Sequence, residues 1–240
     1  MAQSGARITV VSLDAEGTLV THAFSRAIWR EVVPELYGRA RGLSPDEAAA
    51  RVFAEYESVG PQREEWYDIG YWFRRFDLGD HRPVLEQHRS RIVLYPDVPA
   101  VLKALGRRYK LVVASSTPVE FLEPLLRDVR HLLGRLFSST SECGRLKDAA
   151  FFRWLAAEME VDPGEIAHVG DNWERDYVSA SAAGCTALFL DRTSAAAGSI
   201  VTLRELQARL DGLTPQVADG RADSAAGCVA LEGGDVRTRQ

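Results

Sequence analysis

Ile8-Thr9-Val10-Val11-Ser12-Leu13 is an apolar run that stops at Asp14, and Ala15-Glu16-Gly17-Thr18 turns the chain directly after it. A second run, Ile166-Ala167-His168-Val169, ends in the same way at Gly170-Asp171-Asn172, with a further carboxylate at Asp176. Short buried strands that each deliver an acid into the following loop mark the ligand site of an open parallel sheet, beyond the carboxyl ends of its strands. Acids gathered there repel one another unless a cation lies between them. Oxygen-only ligands suit Mg²⁺, which commonly takes one or two carboxylates plus a substrate phosphate.

Outward from these runs, the pattern alternates between strand and helix from about residue 93 to 213. Leu111-Val112-Val113-Ala114 reads as a buried strand ending at Ser115-Ser116-Thr117, and Ala187-Leu188-Phe189-Leu190 as another. Helices are expected after Asp97 as cap, over Val119–Val129, and from Lys147 onward with Phe151, Leu155 and Met159 on one face. Gly184 is expected to end the helix before the last strand. This alternation predicts an α/β fold with a parallel sheet covered on both faces. Between Val20 and Ile92 the pattern is helical throughout. Ser44-Pro45-Asp46-Glu47 carries a helix start, with Ser44 as N-cap and Glu47 three residues on. The stretch 214–240, rich in Gly, Ala, Asp and Arg without periodicity, reads as a flexible tail.

The 240 residues hold 29 basic and 34 acidic side chains, a net charge of -5. No basic run offers a footprint for nucleic acid, and no stretch approaches a membrane span. The three cysteines, Cys143, Cys185 and Cys228, have no metal-ligand spacing and read as reduced thiols of a cytoplasmic protein. Lys occurs only at positions 103, 110 and 147, and Asn only at 172, so each survivor is a modest candidate for chemistry.

Four loop elements fall in order: Asp14 to Thr18, Ser115, Lys147, and Gly170-Asp171-Asn172 with Asp176. A parallel sheet brings strand ends far apart in sequence to one edge. A carboxylate nucleophile, a hydroxyl, an ammonium and two further acids suit displacement at phosphorus. Asp14 attacks, Mg²⁺ and Lys147 neutralise the phosphoryl oxygens, and the hydroxyl donates to one of them. The distal acids hold the metal and orient Lys147. Water then cleaves the aspartyl-phosphate.

These four elements resemble the four motifs of the haloacid dehalogenase-like (HAD) hydrolase superfamily, in order and spacing, over roughly residues 7 to 195. The resemblance implies a Rossmann-like three-layer sandwich with a parallel central sheet (1–19 and 93–213) and an inserted type-1 helical cap (20–92) that selects the substrate. It implies a Mg²⁺-dependent hydrolase, most members being phosphatases, acting on a small phosphorylated molecule. Position by position it makes Asp14 the nucleophile, Ser115 the phosphate-binding hydroxyl with Ser116 or Thr117 as alternatives, and Lys147 the stabilising cation. Asp171 becomes the principal metal acid, Asp176 a supporting one, and the main-chain carbonyl of Glu16 a further metal ligand. The chain departs from the phosphatase pattern at Glu16, where that pattern has Asp as proton donor. Glu carries the same group on a stem one methylene longer, and a misplacement of about 1 Å can cost roughly a hundredfold.

Taken singly, each motif has a plainer reading. Asp14 and Gly170-Asp171-Asn172 suit turns, Ser115 a helix cap, Lys147 a solvated side chain, and Asp176 an exposed helix face. Their conjunction favours the site. Trp66, Tyr67, Trp72 and Phe73 are read as cap core, Arg74 and Arg75 as a solvated helix face, and His22 as a candidate cleft residue. Two alternatives stay open: a catalytically weak HAD-like binding protein, and a 2-haloacid dehalogenase using the same nucleophile. Substrate identity and oligomeric state are not legible at this level.

Overall fold

The computed structural model describes residues 7–193 and 196–213. The expected tail, 214–240, lies outside the described residues.

Five short strands form one parallel sheet: β1 (Val10–Leu13), β2 (Lys110–Ser115), β3 (Leu136–Ser138), β4 (Ile166–Gly170) and β5 (Thr186–Phe189), in the order β3-β2-β1-β4-β5. β1 lies at the centre. The chain moves outward from it through β2 and β3 and then returns to its other side at β4. The reversal point between β1 and β4 is where an open sheet leaves a crevice at its carboxyl edge. Register sets what meets there. Leu13 is level with Val113 on β2 and with Val169 on β4, so Asp14, Ser115 and Asp171 leave adjacent strands within about one residue of each other.

Both faces of the sheet are covered, as the near-continuous apolar strands require. Val11, Leu13, Val113 and Val169 pack on one side with the helices α6 (Val98–Leu105), α7 (Val119–Leu126) and α11 (Leu203–Leu213). Val10, Val112, Ala114 and Ile166 pack on the other with Phe151, Phe152 and Leu155 of the helix α9 (Ala149–Glu158) and Ala180 of α10 (Ser179–Ala183). The small α8 (Ser139–Cys143) follows β3 directly.

Between β1 and α6 every described element is helical: α1 (Ala23–Ala27), α2 (Val33–Arg41), α3 (Pro45–Val59), α4 (Ile69–Phe76) and α5 (His81–Gln87), with short π and 3-10 segments. α3 starts at the expected capping box, in which Glu47 N donates to Ser44 Oγ and Ser44 N to the Glu47 carboxylate. Trp72 is fully buried at the centre of this helical segment, its ring 4.6 Å from that of Tyr56. The segment leaves and rejoins the sheet through two adjacent passages. Thr21 N donates to Val93 O and Tyr95 N to Leu19 O, at 2.8 and 3.1 Å.

Several sequence expectations shift. α9 begins at Ala149, not Lys147, because Asp148 is the better cap and accepts from Phe151 N at 2.8 Å. Lys147 therefore stays in the preceding loop. The helix expected over Val119–Val129 is α7 followed by a 3-10 stretch from Arg127 to Leu132, with Pro124 inside α7. Asp97 does not cap α6 with its side chain; its carboxylate accepts instead from Leu203 N and Arg192. β3, three residues long, carried no alternation that would reveal it. Gly184 ends α10 in the left-handed region, φ 97°, as expected.

Candidate active site

At the carboxyl edge of the sheet a cavity of about 670 Å³ opens between the strand ends and the helical segment. Asp14, Glu16, Ser115, Ser116, Lys147, Asp171 and Asp176 all line it, so every sequence-predicted site residue reaches one place.

Asp14 follows the last residue of β1, its N–H donating to Val169 O at 2.9 Å. The turn after it needs Gly17: φ is +79°, and a Cβ there would lie 2.0 Å from Asp171 Oδ2. A second glycine, Gly170, keeps room for Asp176, since a Cβ on it would meet the Asp176 carboxyl at 2.2 Å. Both glycines are therefore spaces reserved for acids.

Lys147 is the buried link among them. Its Nζ donates to Asp14 Oδ1 at 2.6 Å, to Asp176 Oδ1, and to Ala114 O at 3.2 Å. The loop that carries it is held by Ser116, whose Oγ accepts from Lys147 N at 3.1 Å. Ser116 is thus engaged in placing Lys147. Ser115 Oγ accepts from Thr117 N at 3.2 Å and still borders the cavity.

Asp176 is fully buried, contrary to the plain reading of an exposed helix face. Its Oδ2 accepts from Asn172 N at 2.9 Å, and its Oδ1 from Lys147 and from His168 Nε2 at 3.1 Å. Burial pushes the His168 pKa down and keeps the ring neutral, so Nε2 carries the proton given to Asp176. Nδ1 then accepts from the Ser12 hydroxyl at 3.0 Å. Sequence reasoning missed His168 because it sits within an otherwise apolar strand. A histidine eight residues before a site acid was the available signal. Asn172 is itself a cap, its side chain accepting from Arg175 N at 3.0 Å.

Acids outnumber the one buried ammonium in this pocket, and ionising them is costly. Burial raises Asp14 to about 7 against the pull of Lys147, with Asp176 and Asp171 adding to the rise. Burial opposes ionisation of Asp176 too, yet Lys147 and His168 hold it well below the usual carboxylate range. Burial would lower Lys147, but Asp14 and Asp176 keep it above its ordinary value. Glu16 is raised by burial, partly offset by the neighbouring Ser25 and His22, and its Oε1 is buried with no partner among the described residues. His22 lines the cavity with Nε2 3.5 Å from Asp171 Oδ2, and the Asp171 hydrogen bond raises its pKa.

Asp14, Asp171 and Asp176 bring carboxylate oxygens within 4.8 Å of one another. This all-oxygen set fits a hard divalent cation. Asp176 already has both oxygens engaged, so Asp14 and Asp171 are the two with capacity to spare.

The helical segment supplies the other wall. Trp66 and Tyr67, expected as core, line the cavity, whereas Trp72 and Phe73 are core as expected. Arg74 and Arg75 point elsewhere, pairing with Asp68 and Glu55. Arg26, Trp29, Arg30 and Arg175 were not foreseen as lining residues. The helical periodicity after Val20 placed Ala27 and Ile28 inward and gave no sign that Arg26, Trp29 and Arg30 face a cleft. Among the described residues no helix is long and apolar enough to cross a membrane.

Residues 8–184 match the family described as haloacid dehalogenase-like hydrolase. The chain is 33% identical over 98 residues to the GMP/IMP nucleotidase YrfG of Escherichia coli (strain K12), a match covering 41% of this chain and 43% of that protein. The match thus spans less than half the length of that curated relative. Among solved structures, a HAD phosphatase from Thermococcus onnurineus superposes with a TM-score of 0.76 at 26% identity, over 85% of this chain and 99% of that one. A 2-haloacid dehalogenase from Pseudomonas syringae pv. tomato DC3000 shares the fold, with a TM-score of 0.65 at 19% identity over 85% and 99%.

Proposed function

This chain belongs to the haloacid dehalogenase-like hydrolase family, and from that premise we propose that it is a phosphatase of small phosphate monoesters, working through an aspartyl-phosphate on Asp14. The observation that carries this reading is Lys147 Nζ held between Asp14 and Asp176 at the floor of a cavity that Glu16, Ser115 and Asp171 share. The likeness to a HAD phosphatase and to a GMP/IMP nucleotidase supports hydrolysis at phosphorus.

With Oδ1 of Asp14 held by Lys147, Oδ2 is the atom left to attack. It forms the bond to phosphorus as the bond to the leaving oxygen breaks. Glu16, whose pKa burial raises toward the range of a general acid, gives its proton to that oxygen. The resulting Glu16 carboxylate then takes a proton from water, which attacks the same phosphorus and releases Asp14 and inorganic phosphate. Lys147 and the Ser115 hydroxyl balance charge on the phosphoryl oxygens. Asp176 and His168 position Lys147 and touch no substrate.

Asp14, Asp171 and the Glu16 carbonyl would hold Mg²⁺, whose contribution when bound is positive charge against the phosphoryl group. A carboxylate nucleophile has to be ionised, and burial resists this at Asp14. A cation beside it answers that cost. The helical segment 20–92 acts in this reading as a cap over the site.

Glu16 favours ester hydrolysis over carbon–halogen hydrolysis, since a departing halide needs no proton while an alkoxide does. It also argues against a mere binding role, because a buried carboxyl oxygen without a partner is costly to keep idle. The test is hydrolysis of para-nitrophenyl phosphate and a metabolite-phosphate panel with Mg²⁺, by wild type and Asp14→Asn. Turnover lost by at least about a thousandfold in the variant is expected. Equal inactivity of both proteins across the panel overturns the proposal.

A further inference from the structure

We infer that the leaving group accepted here carries a flat aromatic ring with polar edges, as in a nucleoside 5′-monophosphate. This rests on the phosphatase reading for the phosphate end of the cavity and adds what the other end selects.

A phosphoryl group needs only the floor between Asp14, Ser115 and Lys147. The cavity is about 670 Å³, in the range that encloses a whole organic ligand. Beyond that floor the lining includes five aromatic residues, Trp29, Phe53, Tyr56, Trp66 and Tyr67, beside charged and polar side chains. Among the described residues no Leu, Ile, Val or Met lines it. An aliphatic leaving group would meet branched side chains in a matching pocket, and a bare polyol would meet mostly hydroxyls and amides. Aromatic faces suit another ring.

The aromatic residues are arranged as a slot. Tyr56 is its buried back, the hydroxyl donating to Trp29 O at 3.3 Å. Around it stand Trp29 at 5.9 Å and 86°, Phe53 at 6.1 Å and 39°, and Trp66 at 6.1 Å and 61°. Trp29 stacks on Phe121 at 6.3 Å and Arg30 lies over the Phe53 ring at 5.9 Å, yet Trp29, Phe53 and Trp66 are only half-buried, so part of their ring surface remains available. Neither the Trp29 nor the Trp66 indole N–H donates a hydrogen bond among the described residues.

Charged groups border the same slot: Arg26 and Arg30 one turn apart, and Glu57 on α3. None of the three forms an ion pair among the described residues. Donors and an acceptor beside an aromatic wall match the edge of a heterocyclic base better than a plain phenyl ring. The products are then the nucleoside, its 5′ oxygen carrying the Glu16 proton, and inorganic phosphate.

The experiment has two arms. In the first, kcat/KM in Mg²⁺ is compared for a purine monophosphate, a pyrimidine monophosphate and ribose 5-phosphate, with wild type, Trp66→Ala and Trp66→Phe. A nucleotide is expected to exceed ribose 5-phosphate by roughly ten- to a hundredfold, the range a stacked base supplies. Trp66→Ala should remove most of that ratio and Trp66→Phe should keep it. In the second arm, binding of the same compounds and phenyl phosphate to Asp14→Asn is followed by tryptophan fluorescence. Turnover with no preference for a ring overturns the slot and leaves the phosphatase standing. Tighter binding of nucleotides without wild-type turnover keeps the slot and sinks the phosphatase. Phenyl phosphate binding more tightly than every nucleotide overturns the assignment to a base.

Discussion

Lys147 Nζ lies 2.6 Å from Asp14 Oδ1 although 133 residues separate them, and both side chains are at least 90% buried. The same ammonium donates to Asp176, so one positive charge holds two carboxylates at the edge of a sheet. A buried ammonium without partners would lose its proton, and two buried carboxylates without it would gain one. The three groups are a unit.

Removing the middle member should therefore be felt in stability as well as activity. Lys147→Met leaves the buried Asp14 and Asp176 carboxyls facing each other without their shared cation. A loss of about 3–5 kcal/mol is expected from urea unfolding at pH 7. The deficit should shrink at pH 4, where the carboxyls take up protons. A variant as stable as wild type at pH 7 would contradict the coupling.

Glu16→Gln keeps the size of the side chain and removes its proton. If Glu16 protonates the leaving oxygen, the loss in kcat should depend on the leaving group. A fall of about a hundredfold or more is expected for an alkyl phosphate, in keeping with general acid catalysis. Para-nitrophenyl phosphate, whose leaving group departs unprotonated, should be affected much less in its first step. Equal losses on both substrates would point to a structural role.

The metal reading has a readout apart from turnover. Mg²⁺ at a hundred times its dissociation constant should stabilise the fold by about 2.7 kcal/mol, seen as a raised unfolding midpoint that a chelator reverses. Asp171→Asn should abolish this shift. A full shift in that variant would remove Asp171 from the ligand set.

In the metal-free protein, Asp14 has a folded-state pKa of about 7 against 3.8 for an ordinary Asp. Folding thus favours its protonated form. The stabilisation is fully present below pH 3.8 and is lost as pH rises through 7. Asp176 works oppositely, its contribution present above the ordinary Asp value and lost as pH falls below it. Between pH 4 and 8 the Asp14 effect changes while that of Asp176 does not; Glu16, His22 and His168 are also shifted in or near this interval, and comparison with Asp14→Asn removes their shared contribution. Unfolding midpoints in chelator should fall for wild type over that interval, relative to Asp14→Asn. A flat difference would show that Asp14 is not perturbed.

How much was legible depended on how local each signal was. The runs before Asp14 and Asp171 announced themselves, because a parallel strand buried on both faces is apolar along its length. Ser44 and Glu47 announced a helix start, since a capping box is complete within four residues. β3 did not, being three residues with only Leu136 and Phe137 apolar between Arg135 and a run of hydroxyl residues. The start of α9 was misplaced by two residues, because Lys147 and Asp148 differ only in which of them caps, and the buried carboxylates that draw Lys147 away are remote in sequence.

By itself the sequence determined the strand-then-acid pattern, the parallel α/β architecture and the choice of Asp14, Glu16, Ser115, Ser116, Lys147, Asp171 and Asp176 as candidates, since these follow from residue type and order. Only tertiary structure decided that Asp176 is sealed against Lys147 and His168, that Ser116 serves the Lys147 loop, and that Trp29, Phe53 and Trp66 face the same cavity as Asp14. Those facts are contacts between segments distant along the chain, set by sheet register and by the packing of one helical segment over the strand ends, and no local periodicity encodes them.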